Sequence, residues 1–159
     1  MNISLEKLSF QDAEELYSFE LKNRYYFEEL VPSRGDDYYS YDFFIKRHQD
    51  LLKEQSEGNS TFYLIKNEVH EIMGRINVVD VDSTHQIGHL GYRIGKEFTG
   101  LGAATKAVAL LLKNSVLREI HAKTTLINIG SQVVLEKNAF KKQVSAPDDK
   151  EFVHYIRIN

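Results

Sequence analysis

The sequence predicts a mixed α/β (α+β) fold, in which helices flank a central mixed, mostly antiparallel sheet of about seven strands. Three consecutive extended segments at hairpin spacing in the middle of the chain favour an antiparallel meander. The second half instead alternates strand, helix and strand. The predicted element order is β-α-α-β-β-β-α-β-α-β-β. Because repeats, low-complexity stretches and linkers are absent, we expect one domain over residues 1–159.

The front half is read from the spacing of its apolar residues. Ser9 and Asp12 form a possible capping pair before the first helix. The elements are a short strand around Ile3–Leu8, a helix over Asp12–Leu21, an irregular or second helical piece over Lys22–Val31, a break at Pro32–Asp37, and a helix from Tyr41 that stops near Glu57–Asn59.

The rest of the chain begins with the meander and continues with alternating elements. The elements are strands over Thr61–Lys66, Glu71–Val81 and Gln86–Ile94, a helix from Ala103 to about Ser115, a strand over Ile120–Ile127, a helix over Ser131–Lys137, and closing strands around Phe140–Val144 and Glu151–Ile158.

Composition narrows the classes of function. The chain has 42% hydrophobic and 27% charged residues and a net charge of −3, as in an ordinary globular protein without a nucleic-acid-binding surface. With no cysteine, thiol nucleophiles, disulfides and cysteine-ligated metals are excluded. The histidines show no metal-ligand spacing, so we expect no metal. No apolar run reaches 18 residues and the N-terminus does not resemble a signal peptide, so we expect a cytoplasmic protein without a membrane partner.

The most informative segment runs from Gly91 to Ala104. A strand leads into Thr99-Gly100-Leu101-Gly102-Ala103-Ala104, and a helix of small residues opens at once. Glycines allow close backbone approach, and a helix N-terminus offers free amides and partial positive charge, which suits a phosphate or pyrophosphate. The segment fits neither the P-loop pattern nor the dinucleotide-binding pattern. Without further information, the glycines equally fit a plain strand-to-helix turn.

Two downstream motifs add a family resemblance. Asn128-x-x-Ser131 and Glu136-Lys137-Asn138-Ala139-Phe140 follow the next strand. With the loop Thr99-x-x-Gly102-x-Ala104 and the preceding Gly91-Tyr92, they make the chain resemble the GNAT superfamily of acetyl-CoA-dependent N-acetyltransferases. The front end, with Leu21–Arg24, Tyr26-Phe27 and Pro32-x-Arg34, resembles the branch that acetylates the N-termini of ribosomal proteins. The resemblance covers nearly the whole chain.

Two positions depart from the family pattern. Thr99 stands where the family usually has Gln or Arg, which puts one side-chain contact to the phosphates in doubt. Ala139 replaces the glycine before Phe140, and we expect this change to affect local packing more than chemistry.

The resemblance implies acetyl-CoA as cosubstrate and no metal. It implies that strand Gln86–Ile94 splays from strand Ile120–Ile127, that the pantetheine arm lies in the gap, and that amides from Gly100 to Ala104 bind the pyrophosphate. The expected cofactor contacts are Leu90, Tyr92, Ile94, Thr99, Gly100, Leu101, Gly102, Ala103, Ala104, Asn128 and Ser131.

The absent thiol and the resemblance together favour direct attack of an amine on acetyl-CoA. His89 could accept the amine's proton directly or through a water, or it could simply fill a strand position. Ser131 matches the family serine near the CoA sulfur and could donate to the leaving thiolate, or it could only cap a helix. Tyr26, Phe27 and Glu28 are the expected acceptor contacts, with core packing as the alternative for the aromatic pair.

The predicted function is therefore transfer of an acetyl group from acetyl-CoA to a primary amine, such as the N-terminal α-amine of a ribosomal protein. An α-amine, with a pKa near ~8, needs less help to deprotonate than a lysine, with a pKa near ~10.4. A polyamine or amino sugar is the alternative acceptor, and a non-catalytic acyl-CoA-binding module is the alternative class. The expected assembly is a monomer or a homodimer.

Overall fold

Alternating apolar side chains build one twisted sheet through the middle of the molecule. The computed structural model describes residues 1–144 and 151–159, and within them the sheet has seven strands in the order β1-β2-β3-β4-β5-β7-β6. The strands are β1 (Ser4–Lys7), β2 (Thr61–Lys66), β3 (Ile72–Asp82), β4 (Ile87–Ile94), β5 (Glu119–Thr125), β6 (Lys141–Lys142) and β7 (Phe152–Ile158). The predicted mixed, mostly antiparallel sheet is confirmed.

Helices cover both faces of the sheet. They are α1 (Ala13–Leu30), α2 (Tyr41–Ser56), α3 (Ala103–Asn114) and α4 (Ile129–Lys137), with short 3-10 turns at Phe10–Asp12, Asp36–Tyr39 and Lys96–Phe98. The predicted order of strands and helices is confirmed. Residues 22–30 belong to α1, which is one continuous helix. Just before α1, the backbone amide of Ser9 donates a hydrogen bond to the Asp12 carboxylate. None of the helices described is both long and apolar enough to cross a membrane.

Strand pairing leaves a gap in the sheet. β4 is antiparallel to β3 and the pairing runs to Ile94, opposite Gly74. β5 is antiparallel to β7 and the pairing runs to Thr125, opposite Phe152. Between β4 and β5 the pairing is parallel, and it ends at Leu90 and Ala122. The remaining halves of β4 and β5 are therefore held by their outer neighbours and not by each other.

Two apolar clusters fill the space between sheet and helices. One packs α3 and α4 on the sheet and includes Ala107, Ile120 and Leu135. The other packs α1 and α2 on the opposite face and includes Leu16 and Phe44. Each fully buried aliphatic or aromatic side chain contributes about 1.5–3 kcal/mol, so this burial fixes the helices that flank the gap.

Some boundaries differ from those predicted. β5 ends at Thr125 and not at Ile127, because the amide of Asn128 closes a turn onto the carbonyl of Thr125. α4 begins at Ile129, two residues before the predicted start at Ser131. Within the predicted strand Phe140–Val144, β6 covers Lys141–Lys142, which pair with β7, and the amide of Gln143 donates one further hydrogen bond to the carbonyl of His154.

Candidate active site

A cavity of about 510 Å³ lies beside the gap, between the ends of β4, α3, α4 and α1. Its walls bring together segments that are far apart in sequence. Of the predicted cofactor contacts it contains Tyr92, Ile94, Thr99, Gly100, Gly102, Ala103, Ala104, Asn128 and Ser131. The cavity therefore gathers most of the positions that the sequence assigns to acetyl-CoA.

The glycine loop at the edge of this cavity has a conformation that needs its glycines. Gly100 has φ +77° and Gly102 has φ +79°, values that an L side chain adopts only with strain. No other atom lies within 4 Å of where a Cβ on either residue would stand, so the space above the loop is open. The glycines thus shape the turn and leave its outer side free.

The first turn of α3 presents free amides to that open space. Gly102 is the N-cap residue, so the cap offers no side-chain acceptor to the first turn. The amide of Lys106 bonds back to the carbonyl of Gly102, so the amides before it have no carbonyl one turn earlier in the helix. With the positive end of the helix dipole, these donors suit a pyrophosphate.

The Thr99 side chain serves the turn itself. Its hydroxyl donates to the carbonyl of Lys96 at 2.8 Å. Lys137, at the end of α4, lines the same cavity and brings a positive charge that the sequence analysis missed. The signal that could have indicated Lys137 is its residue type, because a lysine side chain binds phosphate through its positive charge.

Tyr92 and Ser131 meet in the wall of the cavity. The Tyr92 hydroxyl lies 2.8 Å from the Ser131 hydroxyl and donates to the Ser131 carbonyl at 3.0 Å. The amide of Ser131 donates in turn to the Asn128 side chain, which caps α4. Asn128 is therefore the helix cap, and the Ser131 hydroxyl is left to contact Tyr92 and the cavity.

The phenol of Tyr92 is held in its neutral form. Burial raises the pKa of Tyr92 to about 12, against the lowering effect of its hydrogen bond with Ser131. At neutral pH this hydroxyl keeps its proton, and the pair Tyr92–Ser131 can act as a hydrogen-bond donor toward the cavity.

A second cavity of about 490 Å³ opens on the face of the sheet that carries α2. It shares five wall residues with the first cavity: Val31, Tyr92, Arg93, Asn128 and Ser131. The two cavities therefore meet at the Tyr92–Ser131 pair. Such a junction can bring two reactants together from opposite sides.

A buried charged cluster stands at this junction. Glu20 of α1 is 0% exposed, and it accepts hydrogen bonds from Arg75 at 2.9 Å and from Arg93 at 3.4 Å. Arg75 and Arg93 are direct cross-strand partners on β3 and β4, an arrangement that is unfavourable for like charges without a shared acid. Arg75 also donates to the Tyr38 hydroxyl at 3.1 Å.

Ionisation in this cluster follows from its geometry. Burial raises the pKa of Glu20, but the positive charges of Arg75 and Arg93 outweigh burial, so the net pKa lies below its ordinary value. Burial, together with the nearby Arg34 guanidinium, lowers the pKa of Arg93 to about 10. All three groups are charged at neutral pH, and the cluster has one more positive than negative charge.

The sequence alone did not indicate this cluster. An acid on the apolar face of α1, one helical turn after Leu16, was its only local signal. Arg75 and Arg93 are 55 and 73 residues away from Glu20 in sequence, and a strand position alone does not say which arginine an acid will meet.

Other predicted residues lie apart from the junction. His89 is exposed, lies outside the walls of both cavities, and packs its ring 5.3 Å from that of His121. Leu90 is buried and lines the second cavity but not the first. Leu101 is 55% exposed and lines neither cavity.

The predicted acceptor contacts divide between two environments. Tyr26 and Phe27 line the first cavity, and the hydroxyl of Thr125 donates to the carbonyl of Leu30 and holds this end of α1 over β5. Glu28 lines neither cavity and accepts hydrogen bonds from Arg24 and Ser33.

No group of three or more His, Asp or Glu side chains in residues 1–144 and 151–159 is placed to hold a metal ion. The groups that these residues bring to the two cavities are hydroxyls, amides, guanidinium groups and apolar side chains.

Comparison with known proteins relates this geometry to a family. A model of the acetyltransferase (GNAT) domain matches residues 2–141. The probable N-acetyltransferase YjcK of Bacillus subtilis is 29% identical over 149 residues, which are 89% of this chain and 81% of that protein.

Two of the solved structures that share the fold are ribosomal-protein acetyltransferases. The ribosomal-protein-S5-alanine acetyltransferase of Vibrio fischeri superimposes with a TM-score of 0.86 at 19% identity, over 100% of this chain and 94% of that one. The ribosomal L7/L12 α-N-protein acetyltransferase RimL, in complex with coenzyme A, superimposes with a TM-score of 0.89 at 18% identity, over 99% of this chain and 94% of that one.

Proposed function

Because this chain belongs to the GNAT acetyltransferase family, we propose that it transfers the acetyl group of acetyl-CoA to a primary amine by direct attack. One observation carries the proposal: the pairing of β4 with β5 ends at Leu90 and Ala122, and the unpaired end of β4 from Tyr92 to Ile94 lines the first cavity together with the glycine loop. We propose one catalytic domain over residues 1–159. Its cytoplasmic location stays a prediction.

The residues present fit acetyl-CoA. The unpaired halves of β4 and β5 offer backbone donors and acceptors to an extended amide-bearing arm, as a missing strand would. The free amides from Gly100 to Ala104 and the charge of Lys137 suit the phosphates. Ala103 and Ala104 give the cavity a smooth wall on that side.

Acetyl-CoA supplies a thioester, and the residues at the junction assist its aminolysis. The amine nitrogen forms a bond to the carbonyl carbon, the carbon–sulfur bond breaks, and the thiolate takes a proton or a hydrogen bond. The Ser131 hydroxyl is the proposed donor to the sulfur, and the protonated Tyr92 hydroxyl positions it.

The amine must lose a proton during the attack. His89 remains the proposed acceptor of that proton, and its position outside both cavities favours a water relay over direct contact. Because an α-amine has a pKa of ~8, a sizeable fraction is neutral near pH 7.5 even without a strong base.

The proposed acceptor is a protein N-terminus. The supporting observations are the fold shared with two ribosomal-protein acetyltransferases and the aromatic end of α1 in the first cavity. Tyr26 and Phe27 are the proposed acceptor contacts on the first-cavity side of the junction, and Glu28, which lines neither cavity, stays a proposed contact. A polyamine or amino sugar is the competing acceptor, and a monomer or homodimer is the proposed assembly.

The first experiment separates binding from turnover. Thermal unfolding is followed with acetyl-CoA and, as a control, with ADP, which has a pyrophosphate but no pantetheine arm. A ligand at 100 times its dissociation constant adds about 2.7 kcal/mol to folding stability. A shift specific to acetyl-CoA supports the site, whereas no shift at saturating ligand contradicts it.

Turnover is then measured with a panel of amines by release of the CoA thiol. The protein has no cysteine, so free CoA is the only new thiol in the assay. Acetylation of any primary amine supports the enzyme reading. A clear acetyl-CoA shift without turnover on any amine supports the non-catalytic alternative.

A further inference from the structure

The second cavity has an excess of positive charge. Five basic side chains lie in its wall and two acidic ones, Glu54 and Asp80; the basic residues are Arg34, Arg47, Arg75, Arg93 and Lys123. The whole chain is slightly acidic, with a net charge of −3, so this concentration of positive charge is local. Electrostatic attraction toward this cavity therefore favours an anion.

Buried charge at the junction is only partly compensated. The side chains of Arg75 and Arg93 are 11% and 17% exposed, and they share the single carboxylate of Glu20. Arg75 has the shorter contact, at 2.9 Å against 3.4 Å for Arg93. A guanidinium has five N–H donors, so most of the donors of Arg93 remain available to a ligand.

Arg34 adds a further cation on the same wall. Its guanidinium lies over the Tyr38 ring at 4.9 Å from the centroid, and in the described part of the chain it forms no ion pair. It is close enough to Arg93 to lower the pKa of that group. By contrast, Arg24 on the same side is neutralised by Glu28 and Asp36. Arg34 and Arg93 are thus two cations without a complete set of partners.

Of these two cations, Arg93 stands at the junction of the two cavities. Arg93 lines both cavities, as do Tyr92 and Ser131. A ligand that reaches the junction from the second cavity passes the positive wall before it meets the thioester. A cationic polyamine would meet repulsion there, whereas an amine with an anionic group would meet two guanidinium groups suited to bidentate binding of an oxyanion.

We propose that the acceptor is an amine that also carries a carboxylate or a phosphate, and that Arg34 and Arg93 bind this anionic group in the second cavity while the amine faces Ser131. This proposal rests on the proposed function and specifies its substrate class. For a protein N-terminus, it corresponds to an acidic residue directly after the first one.

The test compares peptides that differ only at the second residue. Peptide amides that begin Ala-Asp, Ala-phosphoserine, Ala-Asn and Ala-Lys are assayed as acceptors with the wild-type protein, with free aspartate as the small-molecule arm. We expect kcat/KM for the acidic peptides to exceed that for Ala-Asn at least tenfold, and Ala-Lys to be the poorest acceptor. The ratio of kcat/KM for the Ala-Asp peptide to that for the Ala-phosphoserine peptide tells whether the anionic group is a carboxylate or a phosphate. The ratio of kcat/KM for the Ala-Asp peptide to that for free aspartate tells whether the acceptor is a peptide or a small molecule.

Variants of Arg34 assign the preference to the proposed site. Arg34 is exposed, so its replacement should not unfold the protein. We expect Arg34→Gln to raise KM for Ala-Asp severalfold without changing KM for acetyl-CoA, Arg34→Lys to restore part of the loss, and Arg34→Glu to favour Ala-Lys. Arg118→Gln is the matched control, because Arg118 is exposed and lines neither cavity.

The outcomes distinguish this proposal from the function on which it rests. Equal kcat/KM for the acidic, neutral and basic peptides would overturn the anionic acceptor and leave the acetyltransferase proposal standing. An acidic preference that Arg34→Glu leaves unchanged would also overturn it. If no amine is acetylated although acetyl-CoA stabilises the protein, both proposals fail.

Discussion

The hydroxyl of Tyr92 on β4 lies 2.8 Å from the hydroxyl of Ser131 on α4, and both residues line both cavities. This contact joins the strand that borders the gap to the helix that follows β5. It fixes the orientation of the proposed proton donor at the junction of the two cavities.

Replacing Ser131 by alanine should slow chemistry without loosening acetyl-CoA. Positioned proton transfer contributes about 10²–10⁴-fold, so we expect kcat to fall at least tenfold while KM for acetyl-CoA stays within twofold. Tyr92→Phe should show a smaller fall in kcat, because Ser131 keeps its hydroxyl. Steady-state kinetics with a saturating amine measures both. Ser83→Ala, in an exposed turn, is the control, and an unchanged kcat in Ser131→Ala would refute the assigned role.

Deprotonation of the Tyr92 phenol should not affect the pH–rate profile below about pH 10. Burial raises its pKa to about 12, so the hydroxyl remains protonated throughout the usual assay range. Profiles of kcat for the wild type and Tyr92→Phe should therefore run parallel from pH 6 to 10. A basic limb present only in the wild type would contradict this expectation.

A charge placed on the glycine loop should abolish acetyl-CoA binding. Gly102→Glu puts a carboxylate where phosphates are expected, and its φ of +79° adds strain of about 1–2 kcal/mol. Gly58→Glu is a matched control, since Gly58 has φ +82°, open space around its Cβ position and no part in either cavity. Both variants should unfold at lower temperature, but only Gly102→Glu should lose the acetyl-CoA shift. Equal acetyl-CoA shifts in the two variants would show that the phosphates do not bind at this loop.

Glycine at position 139 should stabilise the protein. Ala139 has φ +65° just after α4, where its amide and that of Phe140 bond to carbonyls of the last turn. This left-handed position costs alanine about 1–2 kcal/mol, which glycine avoids. We expect Ala139→Gly to raise the melting temperature by about 2–4 °C without changing kcat.

A helix-interior position supplies the opposite control for Ala139→Gly. Ala109 is exposed within α3, and glycine there should lower stability by about 1 kcal/mol. If both substitutions lower the melting temperature, the strain at Ala139 is not the reason for the family's glycine.

Removing the charge of Glu20 should weaken the fold in a pH-dependent way. The folded-state pKa of Glu20 is lowered, so its contribution to stability is fully present above the ordinary value of 4.5 and is lost as pH falls through the folded pKa. Breaking such a buried pair costs about 3–5 kcal/mol. Denaturant unfolding of Glu20→Gln should show that loss at pH 7, with the difference from wild type shrinking below about pH 4. A pH-independent difference would rule out this ionisation.

The spacing of apolar residues along the chain was enough to predict most of the fold. Apolar spacing located every helix and strand in order, because burial of one face sets the period of each element. Patterning alone extended β5 too far: Leu126 and Ile127 continue its apolar run, but they are 49% and 69% exposed in a turn. Local apolar character does not reveal where a strand loses its partner.

The site was predictable only where its chemistry is local. Gly102 and Ala104 stand together in sequence, so the loop could be found from its letters. The contact between Tyr92 and Ser131 spans 39 residues, and that between Glu20 and Arg93 spans 73. Such contacts depend on the order of strands in the sheet, which no single segment specifies. The family pattern indicated Ser131 but gave no sign of the charged cluster.

The early end of pairing between β4 and β5 has a consequence for how the site responds to ligands. Each side of the opening is backed by a full antiparallel partner, β3 on one side and β7 on the other, so the opening cannot collapse without breaking those ladders. The proposed acetyl-CoA groove is thus held open before a ligand enters it, and we expect the protein to lose little conformational entropy on binding. The second cavity lies along side chains such as Arg34, whose replacement leaves those ladders intact. Substitutions in the second cavity should therefore change the acceptor preference without altering the proposed acetyl-CoA groove.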